Sequence, residues 1–442
     1  MILAEHTNTG YRNFALVVLT VVYGFNFIDR QIVGILAPFI KADLGINNTQ
    51  MGLLIGFAFA LFYSIVGLPI AYYADRLNRA NIVALAVGVW SLFTALTGMA
   101  QNFTHIFLAR MGVGIGEAGG SPPSHSIISD LYPKEKRAGA LGIYGMGIPF
   151  GIMAAYFVTA SLMGADPNTV DWRRIFITLG VTGIALAVFV KIVIREPVRG
   201  AQETKAGTAI ERGDFKENLK MLLRIPSWWY MCLGIAFASF ASYALSGFQT
   251  TFIRLLDPEF NFRTVVIWLG IINGIGYASG TYLGGMFADK WGKKDVRAYG
   301  WIPVLALCVG LPSGVIALWV TNVPAYLGVY GIRLIFVGMY LGPSFAIAQT
   351  LAPVHMRAMS TALFFFILNM IGLGAGPFIA GALIDVFGIT GSDDLLATRY
   401  ALSVICLGYL VGALFFLKAA GSLRQDWADA EARNERGAAK AE

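Results

Sequence analysis

The sequence is short of charge: only 13% of its 442 residues are Asp, Glu, Lys or Arg, against about 25% in an ordinary soluble domain. It carries four His and three Cys. Cys232, Cys308 and Cys406 each stand alone inside an apolar stretch, without metal-ligand spacing. No metal set and no nucleophile with its base can be assembled from such residues, so no catalytic residue, metal or cofactor is expected and the chain does not read as an enzyme. The first eleven residues, MILAEHTNTGY, lack the basic stretch and short apolar core of a cleavable leader, so the first apolar run is expected to be retained. Alternation of apolar with polar residues, which would mark a membrane barrel, is missing as well.

What the chain has instead is 57% hydrophobic residues, arranged in apolar runs of about 20, the length that crosses a hydrocarbon core. Backbone groups in lipid must be satisfied internally, which leaves helices once a barrel is excluded. Twelve spans are expected, at about 12–36, 52–74, 80–100, 103–128, 137–162, 173–194, 227–253, 264–288, 297–320, 324–350, 358–384 and 398–418. The net charge of +7 sits mainly in alternate loops, with 24 Lys/Arg on one side, six on the other and three within the membrane. By the positive-inside rule both termini are expected in the cytoplasm, and no nucleic-acid partner is implied.

The longest polar interruption, from Arg195 to Arg224, separates six spans from six. The expected organisation is a six-helix bundle over 1–194, a cytoplasmic linker over 195–226, a second bundle over 227–420 and a solvated tail over 421–442, either a short cytoplasmic helix or disordered. An internal repeat supports the division. AYYADRLNRA after span two aligns with GMFADKWGKK after span eight, and DLYPKEKRAGAL after span four with TLAPVHMRAMST after span ten, pairing Arg137 with Arg357. Arg110 and Arg333 occupy matching positions in spans four and ten. Asp75 and Asp289, followed by Arg76 and Lys290, end their spans at equivalent places, where an aspartate can latch onto the partial positive charge of a helix N-terminus.

Three groups are costly to place in a membrane: Asp29 and Arg30 in span one and Glu117 in span four. Arg30 and Glu117 fall at similar depth, so their opposite charges suggest a pair. Arg110, Glu117, Ser121 and Ser124 form one stripe of span four, read as lining a cavity. The repeat positions of Glu117 and Asp29 are Tyr340 and, approximately, Tyr243, so one half is expected to handle protons while both contact substrate. Gly147, Pro149 and Gly151 match Gly374, Gly376 and Pro377 in symmetry-related spans that are expected to flex.

The loop GMFADKWGKK resembles the signature loop of the major facilitator superfamily, with Ala71 and Asn78 replacing the usual glycines in the first copy. NFIDRQIVGIL, the GEAGGSPP stretch of span four, DLYPKEKRAGAL and YGMGIPFG together resemble a bacterial member of the Spinster family within that superfamily. The resemblance implies an all-α membrane protein of twelve helices in two pseudo-symmetric bundles. It implies proton-linked transport of lysophospholipids or sphingosine-1-phosphate-like lipids across the bacterial inner membrane, with Asp29, Arg30 and Glu117 as the coupling site. Protons and an anionic lipid are then the partners, membrane lipids the surroundings, and a monomer the expected state. The runner-up is an anion symporter for sugar acids or other organic carboxylates, whose first spans can also carry an Asn-aromatic-Asp-Arg pattern.

Overall fold

The computed structural model describes residues 9–74, 76–164, 166, 170–198, 220–352 and 356–439, and these residues form helices without a strand. Eleven helices are long and apolar enough to cross a membrane. They are Thr9–Ile35, Asn48–Gly67, Arg79–Gly98, Gly139–Leu162, Trp172–Val193, Pro226–Gly247, Phe262–Gly292, Ala298–Trp319, Val323–Thr350, Met359–Ile389 and Asp394–Arg433. The twelfth expected span is present as two shorter helices, Phe103–Glu117 and Ser121–Leu131, separated by a three-residue turn. Leu85, Ile192 and Ile275 are 69%, 73% and 65% exposed. An apolar exterior of that kind is at home in lipid and not in water.

The break in span four has a local cause. Pro122 and Pro123 have no N–H to give to the carbonyls of Ala118 and Gly119, so the helical ladder cannot run through them. It tightens instead: Gly119 N donates to Gly116 O at 3.2 Å and Gly120 N to Glu117 O at 3.0 Å. Span ten repeats the device at Met339–Tyr340, ahead of Pro343, with Met339 N on Phe336 O at 3.0 Å. In each break a serine hydroxyl donates to a backbone carbonyl four residues back, Ser124 to Gly120 O and Ser344 to Tyr340 O, both at 2.7 Å. Spans eight and eleven contain wider π-helical turns at Asn273–Tyr277 and Leu368–Ala375, the latter ending where Gly376 and Pro377 begin. Span five is interrupted at Met146, between Lys134–Gly145 and Gly147–Leu162.

By contacts the chain forms two units, one of 1–208, 247–254 and 259–274, the other of 209–246, 255–258 and 275–442. Most of the linker expected over 195–226 lies outside the described residues. In the first unit, Thr250 Oγ1 donates to Gly34 O at 2.7 Å and Arg263 Nη2 to Met163 O at 3.1 Å, so the ends of spans seven and eight pack on spans one and five.

The solvated tail expected from Gly421 is a continuation of span twelve, one helix over Asp394–Ala439. The stretch DWADAEARNER is rich in good helix formers and holds no proline, so nothing stops the helix at the membrane end. The tail is also docked on the second unit. Asp426 Oδ2 accepts from Ser227 N at 2.8 Å, Arg424 binds Asp295 through two nitrogens at 3.1 and 2.7 Å, Trp427 stacks on Tyr299 at 5.7 Å, and Arg433 donates to Leu351 O at 3.2 Å.

Candidate functional site

Span four approaches spans two and three backbone to backbone because its glycines carry no side chain. A Cβ on Gly114 would lie 2.7 Å from Phe59 O, and one on Gly116 would lie 2.6 Å from Trp90 N. That approach carries Glu117, at the last turn of its helix, against span one. Arg30 Nε donates to Glu117 Oε2 at 2.7 Å, across 87 residues of sequence. The Glu117 side chain has no exposed surface, while 17% of the Arg30 side chain remains open. The guanidinium carbon stands 5.0, 4.7 and 4.6 Å from the ring centroids of Phe27, Phe59 and Tyr63, so the cation is walled by aromatic faces.

Asp29 points away from this pair, as neighbours on a helix do, being about 100° apart. It is fully buried, its Oδ1 accepting from Thr94 Oγ1 at 3.1 Å. Arg110 is 1% exposed and donates from Nη1 to the backbone carbonyl of Asp29 at 3.4 Å. Three oxygens here are buried with no hydrogen-bond partner: Asp29 Oδ2, Glu117 Oε1 and Asn26 Oδ1. A buried acceptor without a donor is costly.

The stripe read along span four is not continuous. Arg110 is on span one's backbone, Ser124 is 1% exposed and committed to Gly120 O, and Ser121 is half-buried at the start of the next helix. In the second unit, Tyr340 is 2% exposed with its hydroxyl 3.2 Å from Ser239 Oγ, and Tyr243 is half-buried on span seven. Asp289 accepts from the Tyr299 hydroxyl at 2.8 Å, and Lys290 is exposed. Arg76 is exposed in the turn after span two, and Arg137 is half-buried with Nε unbonded. Arg357 opens the helix Arg357–Ile367, and Asp75 lies outside the described residues.

One ionic cluster was not legible as a site. Arg79, which a charge count places among loop cations, is 2% exposed. Its Nη1 donates to Asp130 Oδ2 at 2.5 Å and Ser126 Oγ at 2.7 Å, its Nε to Glu196 Oε1 at 2.7 Å and its Nη2 to Pro197 O at 3.2 Å. The partners lie 47 to 118 residues away, so only the fold assembles them. Thr94, Phe59 and Tyr63 were likewise silent, because a lone Thr or aromatic residue in an apolar run carries no signal of its own.

The Major Facilitator Superfamily profile matches residues 19–377. An MFS-type efflux pump of Mycolicibacterium smegmatis is 30% identical over 419 residues, 93% of each chain. Protein spinster of Drosophila melanogaster is 30% identical over 316 residues, 67% of this chain and 50% of that one. The crystal structure of a bacterial homolog of the human lysosomal transporter Spinster, inward-facing and unoccupied, matches with a TM-score of 0.88 at 28% identity, covering 95% of this chain and 99% of that one. Further relatives are the sphingosine-1-phosphate transporter of Mus musculus, 27% identical over 92% of this chain and 76% of that one, and the hexuronate transporter of Bacillus subtilis, 26% identical over 84% and 88%. The chain belongs to the major facilitator superfamily and is a membrane transporter of the Spinster type.

Proposed function

We propose that this transporter moves an amphiphilic anion, a lysophospholipid or sphingosine-1-phosphate-like lipid, across the bacterial inner membrane by alternating access driven by protons. The carrying observation is the Arg30–Glu117 pair with an open oxygen on Glu117 and another on Asp29. Glu117 in its charged form holds Arg30; protonated, it releases Arg30 to an anionic head group. The rings of Phe27, Phe59 and Tyr63 beside the cation supply apolar surface for the start of a tail. Proton and substrate then act on one cation, and coupling through it is reciprocal. In this reading residues 1–194 and 227–420 are the two moving bundles, both termini are cytoplasmic, and the chain works as a monomer. Asp75 and Asp289, with Arg76, Lys290, Arg137 and Arg357, are the conformational latch.

A second reading, symport of sugar acids, is favoured by hydroxyl pairs in the second unit, Tyr340 with Ser239 and Tyr409 with Ser242, which suit a polyol. Thermal stabilisation of the purified protein separates the two, since a ligand that binds the folded state raises its stability by mass action. A lysophospholipid is expected to stabilise the native protein and to lose that effect in Arg30→Ala. Stabilisation by glucuronate alone would select the second reading. Lysolipid binding that survives Arg30→Ala undiminished would remove the head group from Arg30.

A further inference from the structure

The second unit holds a deep cation that the coupling site does not use. Arg333, 3% exposed, lies on the Val323–Gly338 helix just before the break in span ten. Its Nη1 donates to the Tyr409 hydroxyl at 2.8 Å, and its guanidinium carbon is 5.0 Å from the centroid of the Tyr330 ring. The Tyr409 hydroxyl is 3.1 Å from Ser242 Oγ, and the Tyr340 hydroxyl is 3.2 Å from Ser239 Oγ. Tyr340 lies seven residues after Arg333, in the break that follows its helix, and Ser239 and Ser242 are one turn apart on span seven. Tyr409 of span twelve meets the guanidinium directly, while the Tyr409 and Tyr340 hydroxyls join spans twelve and ten to Ser242 and Ser239 of span seven.

None of these groups carries negative charge, and among the described residues Arg333 takes part in no ion pair. A guanidinium does not give up its proton inside a protein, so the charge cannot be avoided by deprotonation. The repeat makes the imbalance specific. In the first unit Arg30 and Arg110 stand with two acids, Asp29 and Glu117; at the matching positions of the second unit, Arg333 stands with Tyr340 where Glu117 would be. Phenols can orient a guanidinium, but they cannot neutralise it, and an uncompensated buried charge is the least stable arrangement a membrane helix can hold.

We propose that Arg333, with the Tyr409 and Tyr340 hydroxyls, is an anion-binding point of the second unit that accepts a carboxylate or phosphate oxyanion. The planar guanidinium offers a fork of donors to two oxygens. Tyr409, accepting from Arg333, keeps its own proton for the ligand or for Ser242. The broken helix beside it is where transporter spans build substrate sites. The inference rests on the anionic-substrate reading for the source of the oxyanion, which is either the transported head group or a free ion.

The test is thermal stabilisation of the purified full-length protein by inorganic phosphate and, separately, by lysophosphatidate, in native protein, Arg333→Gln, Arg333→Lys and Arg30→Gln. The expected result is saturable stabilisation of native protein, weakened about tenfold to a hundredfold by Arg333→Gln, as for loss of a hydrogen bond to a charged group. Arg333→Lys, which keeps the charge but not the fork, should bind more weakly than native protein and serves if Arg333→Gln does not fold. Dependence on Arg333 for both probes means free phosphate suffices; dependence for lysophosphatidate alone makes the source a lipid head group. A purely structural role would lower the melting temperature without ligand and leave the ligand-induced shift intact, which overturns the proposal. So does the absence of saturable stabilisation of native protein by either probe, or native affinity in Arg333→Lys. Loss of lysophosphatidate binding in Arg30→Gln with native affinity in Arg333→Gln overturns this proposal alone; the converse overturns only the placement of the head group at Arg30.

Discussion

Arg30 holds Glu117 with a single nitrogen, Nε on Oε2 at 2.7 Å, and leaves Glu117 Oε1 buried without a donor. A structural ion pair in a dry interior is stable when every lone pair is used. This one is half-used among the described residues, since Glu117 Oε1 has no partner.

Glu117→Gln fixes the group in a neutral form close in shape to the protonated acid. The expected outcome is a folded protein whose uptake into proteoliposomes no longer responds to an imposed pH gradient, with substrate binding retained. Uptake that still follows the gradient would make Glu117 a structural partner of Arg30 and move the proton to Asp29 or elsewhere.

Thr94 is a side-chain donor to Asp29, Oδ1 accepting from Thr94 Oγ1 at 3.1 Å, while Oδ2 has no hydrogen-bond partner among the described residues. Thr94→Val should cost about 1–3 kcal/mol, the price of a buried acceptor left without its bond. The cost should shrink in an Asp29→Asn background, giving a coupling above about 0.5 kcal/mol in a double-mutant cycle of thermal melts. Additive effects would show that the hydroxyl does not stabilise the carboxylate.

The fold was legible because continuous apolar runs, alternating loop charge and an aligned repeat all point to one architecture. The Arg30–Glu117 ion pair was legible for a similar reason: charge is so costly in a span that the two groups needed each other. The break in span four was encoded as Pro122–Pro123 but was read as part of one helix, because the ladder's response to missing amides is a local adjustment. Arg79 was not singled out because a cation at a span end already has an explanation in topology. The docking of the tail was not legible, because Arg424, Asp426 and Trp427 find partners only once span twelve has placed them.

Arg79 serves three acceptors and a carbonyl in different directions. Arg79→Ala takes the shared cation from Asp130 and Glu196, and breaking a buried pair costs about 3–5 kcal/mol. The side chains of Asp130 and Glu196 remain 14% and 22% exposed, so about 3 kcal/mol is expected in thermal or denaturant melts. Arg79→Lys should recover little of it, since one ammonium cannot replace a planar fork that meets three partners. Full recovery by Lys would mean that charge alone matters there.

Asp295 decides whether the tail helix stays on the second unit. Hydrogen bonds from Arg424, and then Arg297, hold its carboxyl well below the usual carboxylate range. A depressed value in the docked form means that the contact contributes above the ordinary carboxylate value, about 4, and is lost as pH falls through the depressed one. Docking is therefore expected to persist across neutral and mildly acid pH. The group is exposed, so salt should weaken it. Arg424→Glu puts two like charges together at neutral pH and should speed trypsin cleavage after Arg433, whose donation to Leu351 O at 3.2 Å belongs to the docked form. Adding Asp295→Arg restores opposite charges and should slow cleavage again. Equal cleavage in all three proteins would show that Trp427 on Tyr299 and Asp426 on Ser227 N hold the tail without the ion pair.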